Sequence, residues 1–147
     1  MITQEQHDEL LADASSLTHE GVVALLRRSG LEGIAARLDY LRQVVDEDPE
    51  HPPMAIESLR SLARFLVAER QLPHPQISVG PDGLLSAQWR TTSNDVMAME
   101  FLGSGLIRFA ALSSPGDPED PWSVSGTLPR NEVMTAVEPF TVRMQRR

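Results

Sequence analysis

Residues 76–112 read QISVGPDGLLSAQWRTTSNDVMAMEFLGSGLIRFAAL, and this segment sets the architecture of the chain. Apolar and polar side chains alternate along it with a period of two, which is typical of strands with one buried face. Turn residues interrupt the alternation at Pro81–Gly83, Thr91–Asp95 and Gly103–Gly105. The segment therefore predicts four antiparallel strands: Gln76–Val79, Leu84–Arg90, Val96–Leu102 and Leu106–Leu112.

The lengths of the two later loops predict how these strands pair. The turn at 103–105 pairs Met99 with Phe109. The loop at 91–95 independently pairs the same Met99 with Ala87. Together the two registers place three apolar rows on one face of the sheet: Leu85–Phe101–Ile107, Ala87–Met99–Phe109 and Trp89–Met97–Ala111. Because a slip of one residue would move every row to the other face, the agreement predicts a meander.

The first hairpin is predicted to have a three-residue loop, Pro81–Gly83. This loop pairs Val79 with Leu85 and keeps the apolar face continuous. A four-residue loop would pair Ser78 with Leu85 and break that face. Proline suits the first central position of a type I turn, and glycine suits the next residue after the turn, where φ is positive.

The residues before the strands show apolar side chains at helical spacing. They predict four helices: one with a capping box at Thr3 and Gln6 and apolar Leu10 and Leu11, then Gly21–Arg28, Leu31–Asp46 and Pro53–Gln71. After the strands, Trp122–Thr127 suggests a fifth, short edge strand, and Pro129–Val137 a final helix broken near Pro139, followed by a frayed tail.

These elements predict an α+β fold in one domain, 1–147. N-terminal helices (1–72) pack on one face of a four- to five-stranded antiparallel meander (73–128), and a C-terminal helix and tail follow (129–147).

Composition narrows the chemistry that the chain can perform. The 147 residues contain no Cys and no Lys, so all 13 basic residues are Arg, and the net charge is −8. Lys and Cys nucleophiles, a P-loop lysine and thiolate metal ligands are therefore excluded. The negative charge argues against direct binding to nucleic acid, which needs clustered cations. Without an apolar membrane span or the features of a signal peptide, we expect no membrane association and a cytoplasmic location.

Five segments together resemble a widespread set of small bacterial and phage proteins: PPMAI at 52–56, SLARFL at 61–66, PHPQISVGPDGLLSAQW at 73–89, VMAMEFL at 96–102 and GLIRFA at 105–110. The resemblance covers roughly residues 50–110. It departs from the set at Gln88, where those proteins carry an acid before the tryptophan, and at DEDPEHPP (46–53), where they carry a Trp-Asp segment. The set has no established activity, so the resemblance implies the helix-then-hairpin architecture and a phage-like genomic setting.

No pattern in the sequence assembles a catalytic or metal site. The four histidines lack the spacing of metal ligands: His7, His19, His51 and His74. The segment Gly103–Gly105 contains a serine between two strands, not at the strand-to-helix turn of a nucleophile elbow. We therefore expect no cofactor and no catalytic residues, with a small hydrolase or metal-dependent enzyme as the alternative.

Acidic residues are concentrated in two proline-rich loops. The first loop carries Asp46, Glu47, Asp48 and Glu50, and the second carries Asp117, Glu119 and Asp120 ahead of Trp122. An aromatic side chain rimmed by acids has the composition of an interface hot spot directed at a basic partner. The same features have plainer roles, because acidic loops keep proteins soluble and Trp122 can fold over the sheet edge.

These loops favour a non-catalytic protein-binding regulator or inhibitor. The acidic surface would face a protein partner with a basic surface, for example a nucleic-acid-binding complex. With the phage-like setting, the expected type is an anti-defence protein such as an anti-CRISPR, an antitoxin or an immunity protein.

The outer face of the predicted sheet has one charged pair, Glu100 and Arg108, among apolar residues: Val96, Ala98, Leu106 and Ala110. A wholly solvated face would carry more charge than this. This face could be covered in two ways: by the final helix of the same chain, or by a second copy stacked face to face about a two-fold axis. We expect the homodimer.

Overall fold

A computed structural model describes residues 17–113 and 123–145, with side chains to residue 142. Among these residues, three helices come first, then five strands, then two short helices. Their bounds are α1 His19–Arg28, α2 Glu32–Glu47, α3 Ile56–Ala68, β1 Gln76–Val79, β2 Leu85–Arg90, β3 Val96–Phe101, β4 Leu106–Leu112, β5 Ser123–Pro129, α4 Arg130–Ala136 and α5 Glu138–Gln145. The predicted α+β class is confirmed. The expected helix around Leu10 lies outside the described residues.

The five strands form one antiparallel sheet in the order β1-β2-β3-β4-β5. Both registers derived from loop lengths are confirmed, since Met99 pairs with Ala87 on one side and with Phe109 on the other. The fifth strand extends two residues beyond the predicted end, because Pro129 still pairs with Leu106.

The inner face of the sheet is the predicted one and is closed to solvent. The residues of its three apolar rows are at most 3% exposed: Leu85, Ala87, Trp89, Met97, Met99, Phe101, Ile107, Phe109 and Ala111. Phe65 of α3 packs on this face, with its ring centroid 5.9 Å from that of Trp89 and 5.6 Å from that of Phe101. The Trp89 indole N–H donates to the Pro73 carbonyl at 2.8 Å, so this buried side chain has its polar atom satisfied.

The first hairpin has the predicted three-residue loop, and it also contacts the segment before α3. Gly83 has φ +85°, and its N–H donates to the Gly80 carbonyl at 3.0 Å. Its carbonyl accepts the N–H of Ala55 at 2.9 Å. The turn therefore positions the start of α3, which begins at Ile56 and not at the predicted Pro53.

Ser58 of α3 joins the helix layer to the sheet. Its buried hydroxyl accepts the N–H of Leu85 at 2.8 Å and donates to the carbonyl of Phe101. These two groups lie at the end of the β2–β3 ladder, so a helix side chain completes hydrogen bonding that strand pairing leaves open there.

The C-terminal segment corrects the prediction of a single broken helix with a frayed tail. Two helices are present, and α5 includes Pro139 in its first turn. A proline in the first helical turn lacks only an N–H that would have no intrahelical partner, so Pro139 starts a helix instead of ending one. Val133, Val137 and Phe140 are fully buried in the same core as the sheet's inner face.

Candidate functional site

The structure describes the first of the two predicted partner-binding loops, residues 46–50, which we call the acidic loop. Asp46 and Glu47 form the last turn of α2, Asp48 caps it and Glu50 follows, and all four are exposed. Asp46 lies 3.8 Å from the Arg42 guanidinium, and Asp48 accepts the N–H of Glu50 at 3.0 Å. The second predicted group, Asp117, Glu119, Asp120 and Trp122, lies outside the described residues and stays a prediction.

These acids stand at the end of the helix that disfavours negative charge. The C-terminus of a helix carries a partial negative charge, and carboxylates beside it reduce helix stability. The last turn of α2 contains no basic residue, although the Arg42 guanidinium one turn earlier pairs with Asp46. We therefore expect Glu47 and Asp48 to lower the stability of α2.

Two exposed apolar side chains lie on α2 one and two turns before the acids. Tyr40 is 56% exposed and Val44 is 45% exposed, and a spacing of four residues puts them on the same side of the helix. The Arg37 guanidinium lies 5.5 Å from the centre of the Tyr40 ring, which is cation–π geometry.

The same helical spacing extends this side of α2 to the acidic loop. Residues 37, 40, 44 and 47 lie on one side, next to the buried stripe of Ile34, Leu38, Leu41 and Val45, and Asp48 follows as the C-cap. We call this side, Arg37–Tyr40–Val44–Glu47–Asp48, the α2 solvent face. Sequence reasoning missed Tyr40 and Val44, although an apolar pair four residues apart and off the core stripe was a readable signal.

Exposed ion pairs connect α1 to α2. Arg42 donates to Glu20 at 2.6 Å, and Arg27 donates to Glu32 at 3.2 Å and to Asp39 at 3.0 Å. The hydrogen bond that Arg42 donates to Glu20 lowers the pKa of Glu20 below its usual value, and the hydrogen bond that Arg27 donates to Glu32 raises the pKa of Arg27.

The Glu20–Arg42 contact predicts a specific pH dependence for Glu20→Gln. Because the pKa of Glu20 is lowered in the folded protein, its stabilising effect is complete above the usual glutamate pKa and is lost as the pH falls through the folded value. The difference in urea-unfolding free energy between wild type and Glu20→Gln should therefore be largest near pH 7 and shrink below about pH 4. Glu132→Gln, at an exposed carboxylate, is the control. A difference that stays constant over this range would contradict the lowered pKa.

Two of the three histidines in the described residues contact backbone carbonyls. The His19 ring lies 3.1 Å from the Met54 carbonyl, and the His51 ring lies 2.6 Å from the Pro52 carbonyl. Within residues 17–113 and 123–145, no three His, Cys, Asp or Glu side chains are grouped so that they could hold a metal ion. The expectation of a non-catalytic protein and its enzyme alternative both stay predictions.

The final helices do not cover the outer face of the sheet. Of the two ways in which the sequence suggested that this face could be covered, the one by the final helix of the same chain is therefore wrong. The helices α4 and α5 contribute their buried residues to the inner core, whereas Arg108, Ala110 and Ser125 on the outer side are exposed. The Glu100 and Arg108 side chains form the predicted cross-strand pair, at 2.6 Å. A shallow depression of about 550 Å³ lies around Ala98 and this pair.

We compared the chain with known protein families, curated proteins and solved structures. No protein-family model, no curated protein and no solved structure matches the chain. No helix among the described residues is both long and apolar enough to cross a membrane.

Proposed function

We propose that this protein is a non-catalytic regulator or inhibitor that binds a protein partner through the α2 solvent face. The observation that carries the proposal is the exposed pair Tyr40 and Val44, two turns and one turn before the carboxylates of Glu47 and Asp48. An apolar anchor beside acids suits a partner that presents basic residues around an apolar groove.

Each part of this face has a distinct role in the proposed complex. Tyr40 is the anchor, since an aromatic side chain buries much area at a low entropy cost. Arg37 stacks on its ring and limits its motion. The acidic loop speeds the approach of a basic surface and sets its orientation.

The cost of the acidic loop to α2 supports a binding role. A surface needed only for solubility has no reason to place its acids where the helix dipole disfavours them, because other exposed positions are neutral in this respect. The partner class follows the sequence-based expectation: a basic protein in the cytoplasm, such as a nucleic-acid-binding complex, opposed in the manner of an anti-defence protein, antitoxin or immunity protein.

The proposal is tested by capturing the partner from cells that contain this protein and then measuring its affinity for variants. Tyr40→Ala should weaken binding about tenfold or more, as expected for a hot-spot anchor. Leu112→Ala is the matched control, since Leu112 is 52% exposed but lies on the sheet, and its affinity should equal that of wild type. A partner that binds Tyr40→Ala as tightly as wild type would contradict the proposed surface.

The acidic loop is tested by the pair Glu47→Gln and Asp48→Asn together. Removing two charges from the helix C-terminus should stabilise the fold by roughly 0.5 kcal/mol in urea unfolding. The same variant should bind the partner less tightly and with a weaker dependence on salt concentration. Glu132→Gln with Glu138→Gln removes equal charge from the C-terminal helices and should leave binding unchanged. Equal loss of affinity in both double variants would point to net charge alone.

A further inference from the structure

The two edges of the sheet differ in length, charge and covering. The β1 edge has four residues, and the Arg37 guanidinium donates to its Ile77 carbonyl at 3.1 Å. The β5 edge has seven residues, SVSGTLP, and none of them is charged. All seven are exposed or half-buried. Natural proteins usually protect such edges with charge, short length or a covering element.

The hydrogen-bonding pattern shows which backbone groups of β5 point away from the sheet. The Leu102 N–H donates to the Leu106 carbonyl at 3.0 Å, so the even-numbered residues of β4 bond to β3. The odd-numbered residues of β4 then bond to β5, at Val124, Gly126 and Leu128.

The remaining residues of β5 direct their N–H and C=O groups outward: Ser123, Ser125 and Thr127. Within the described part of the chain, no hydrogen bond involves these outward groups. The β5 edge therefore offers three donors and three acceptors in a row to another strand.

We propose that two copies of this chain pair their β5 strands antiparallel about a two-fold axis at Ser125, forming a continuous ten-stranded sheet. In this register Ser125 faces Ser125 of the second copy, and Ser123 faces Thr127 of the second copy. Each outward N–H then meets an outward carbonyl, which gives six backbone hydrogen bonds between the copies.

The charge distribution favours a second copy as the occupant of this edge. Each chain has a net charge of −8, so two copies repel wherever acidic surfaces meet. The seven residues of β5 contain no charge, and a two-fold axis through them brings no like charges face to face.

The side chains of β5 are also complementary to themselves in this register. On the inner side, Val124 lies opposite Gly126 of the second copy, where the missing side chain leaves room for it. A Cβ on Gly126 would lie 3.5 Å from the Phe109 ring, so Val124 of the second copy would extend the core beside that ring. On the outer side the paired residues are Ser and Thr, whose hydroxyls can bond across the junction.

The oligomeric state measured by light scattering at about 10–100 μM tests the edge pairing. Wild type should have the mass of a dimer. Ser125→Pro removes an N–H that β4 does not use, so it should leave the fold intact, judged by circular dichroism, and give a monomer. Ser125→Thr keeps the N–H and is the control that should stay dimeric.

The register is tested with charges at the paired positions 123 and 127. Ser123→Lys with Thr127→Lys should give a monomer, and so should Ser123→Glu with Thr127→Glu, since like charges then face each other. An equimolar mixture of the two double variants should form a heterodimer. This recovery also shows that both variants are folded.

Two outcomes would overturn the edge pairing. One is a monomer mass for wild type throughout this concentration range. The other is a dimer that persists in Ser125→Pro and dissociates in Arg108→Glu, which would place the interface on the outer face of the sheet, in the face-to-face stack expected from the sequence.

Discussion

Replacing Gly83 with valine should lower the free energy of unfolding by about 3–5 kcal/mol, a large part of the total for a domain of this size. Gly83 has φ +85°, which a β-branched residue resists. An added Cβ would also lie 2.5 Å from the Pro53 carbonyl oxygen, which is backbone and cannot rotate away. Relieving that clash would break the hydrogen bond from Ala55 to the Gly83 carbonyl and separate the hairpin from α3.

The control for this variant is Gly105→Val, in the turn between β3 and β4. Gly105 has φ +82°, and a Cβ there would meet nothing within 4 Å. Gly105→Val should therefore lower the free energy of unfolding through backbone strain alone, by about 1–2 kcal/mol. Urea unfolding followed by circular dichroism gives both values. Equal losses in the two variants would mean that the contact between Gly83 and Pro53 contributes nothing.

The variant Ser58→Ala should lower the free energy of unfolding by about 2–6 kcal/mol, although it removes a single oxygen atom. Without the hydroxyl, the Leu85 N–H and the Phe101 carbonyl are both left buried without this partner, and each such group costs about 1–3 kcal/mol. Because both groups belong to the sheet, the loss should also speed hydrogen exchange at the Leu85 amide.

Ser61→Ala on the same helix is the matched control. Ser61 is also buried, at 7% exposed, and forms no hydrogen bond through its side chain within the described residues. Its replacement should change the unfolding free energy by less than about 1 kcal/mol. If the two serine variants lost equal stability, the hydrogen bonds from Ser58 to the sheet would not contribute to the stability of the fold.

The sheet could be predicted from the sequence because local loop lengths determined long-range pairs. Once the turns at 91–95 and 103–105 were identified, counting residues placed Met99 between Ala87 and Phe109, and the core followed. The role of Ser58 could not be found in this way. Its hydroxyl acts on Leu85 and Phe101, 27 and 43 residues away, and only the packed structure brings them together.

The candidate binding surface was predictable only in part. Acidic loops can be read from composition, so Asp46–Glu50 were identified directly. Tyr40 and Val44 were not predicted to be exposed, because apolar residues in a helix are readily assigned to the core, although both lie off the buried stripe. The C-terminal error had a similar origin, since Pro139 ends a helix at one position and starts one at another.

The unequal edges of the sheet also determine how large an assembly can grow. If β5 of one copy could pair with β1 of the next, each addition would leave a fresh edge, and the product would be a filament of unlimited length. Arg37 occupies the Ile77 carbonyl on β1, so that edge is a poor acceptor for another strand. In the proposed dimer, pairing of β5 with β5 uses up the open edge of both chains, and growth ends at two copies.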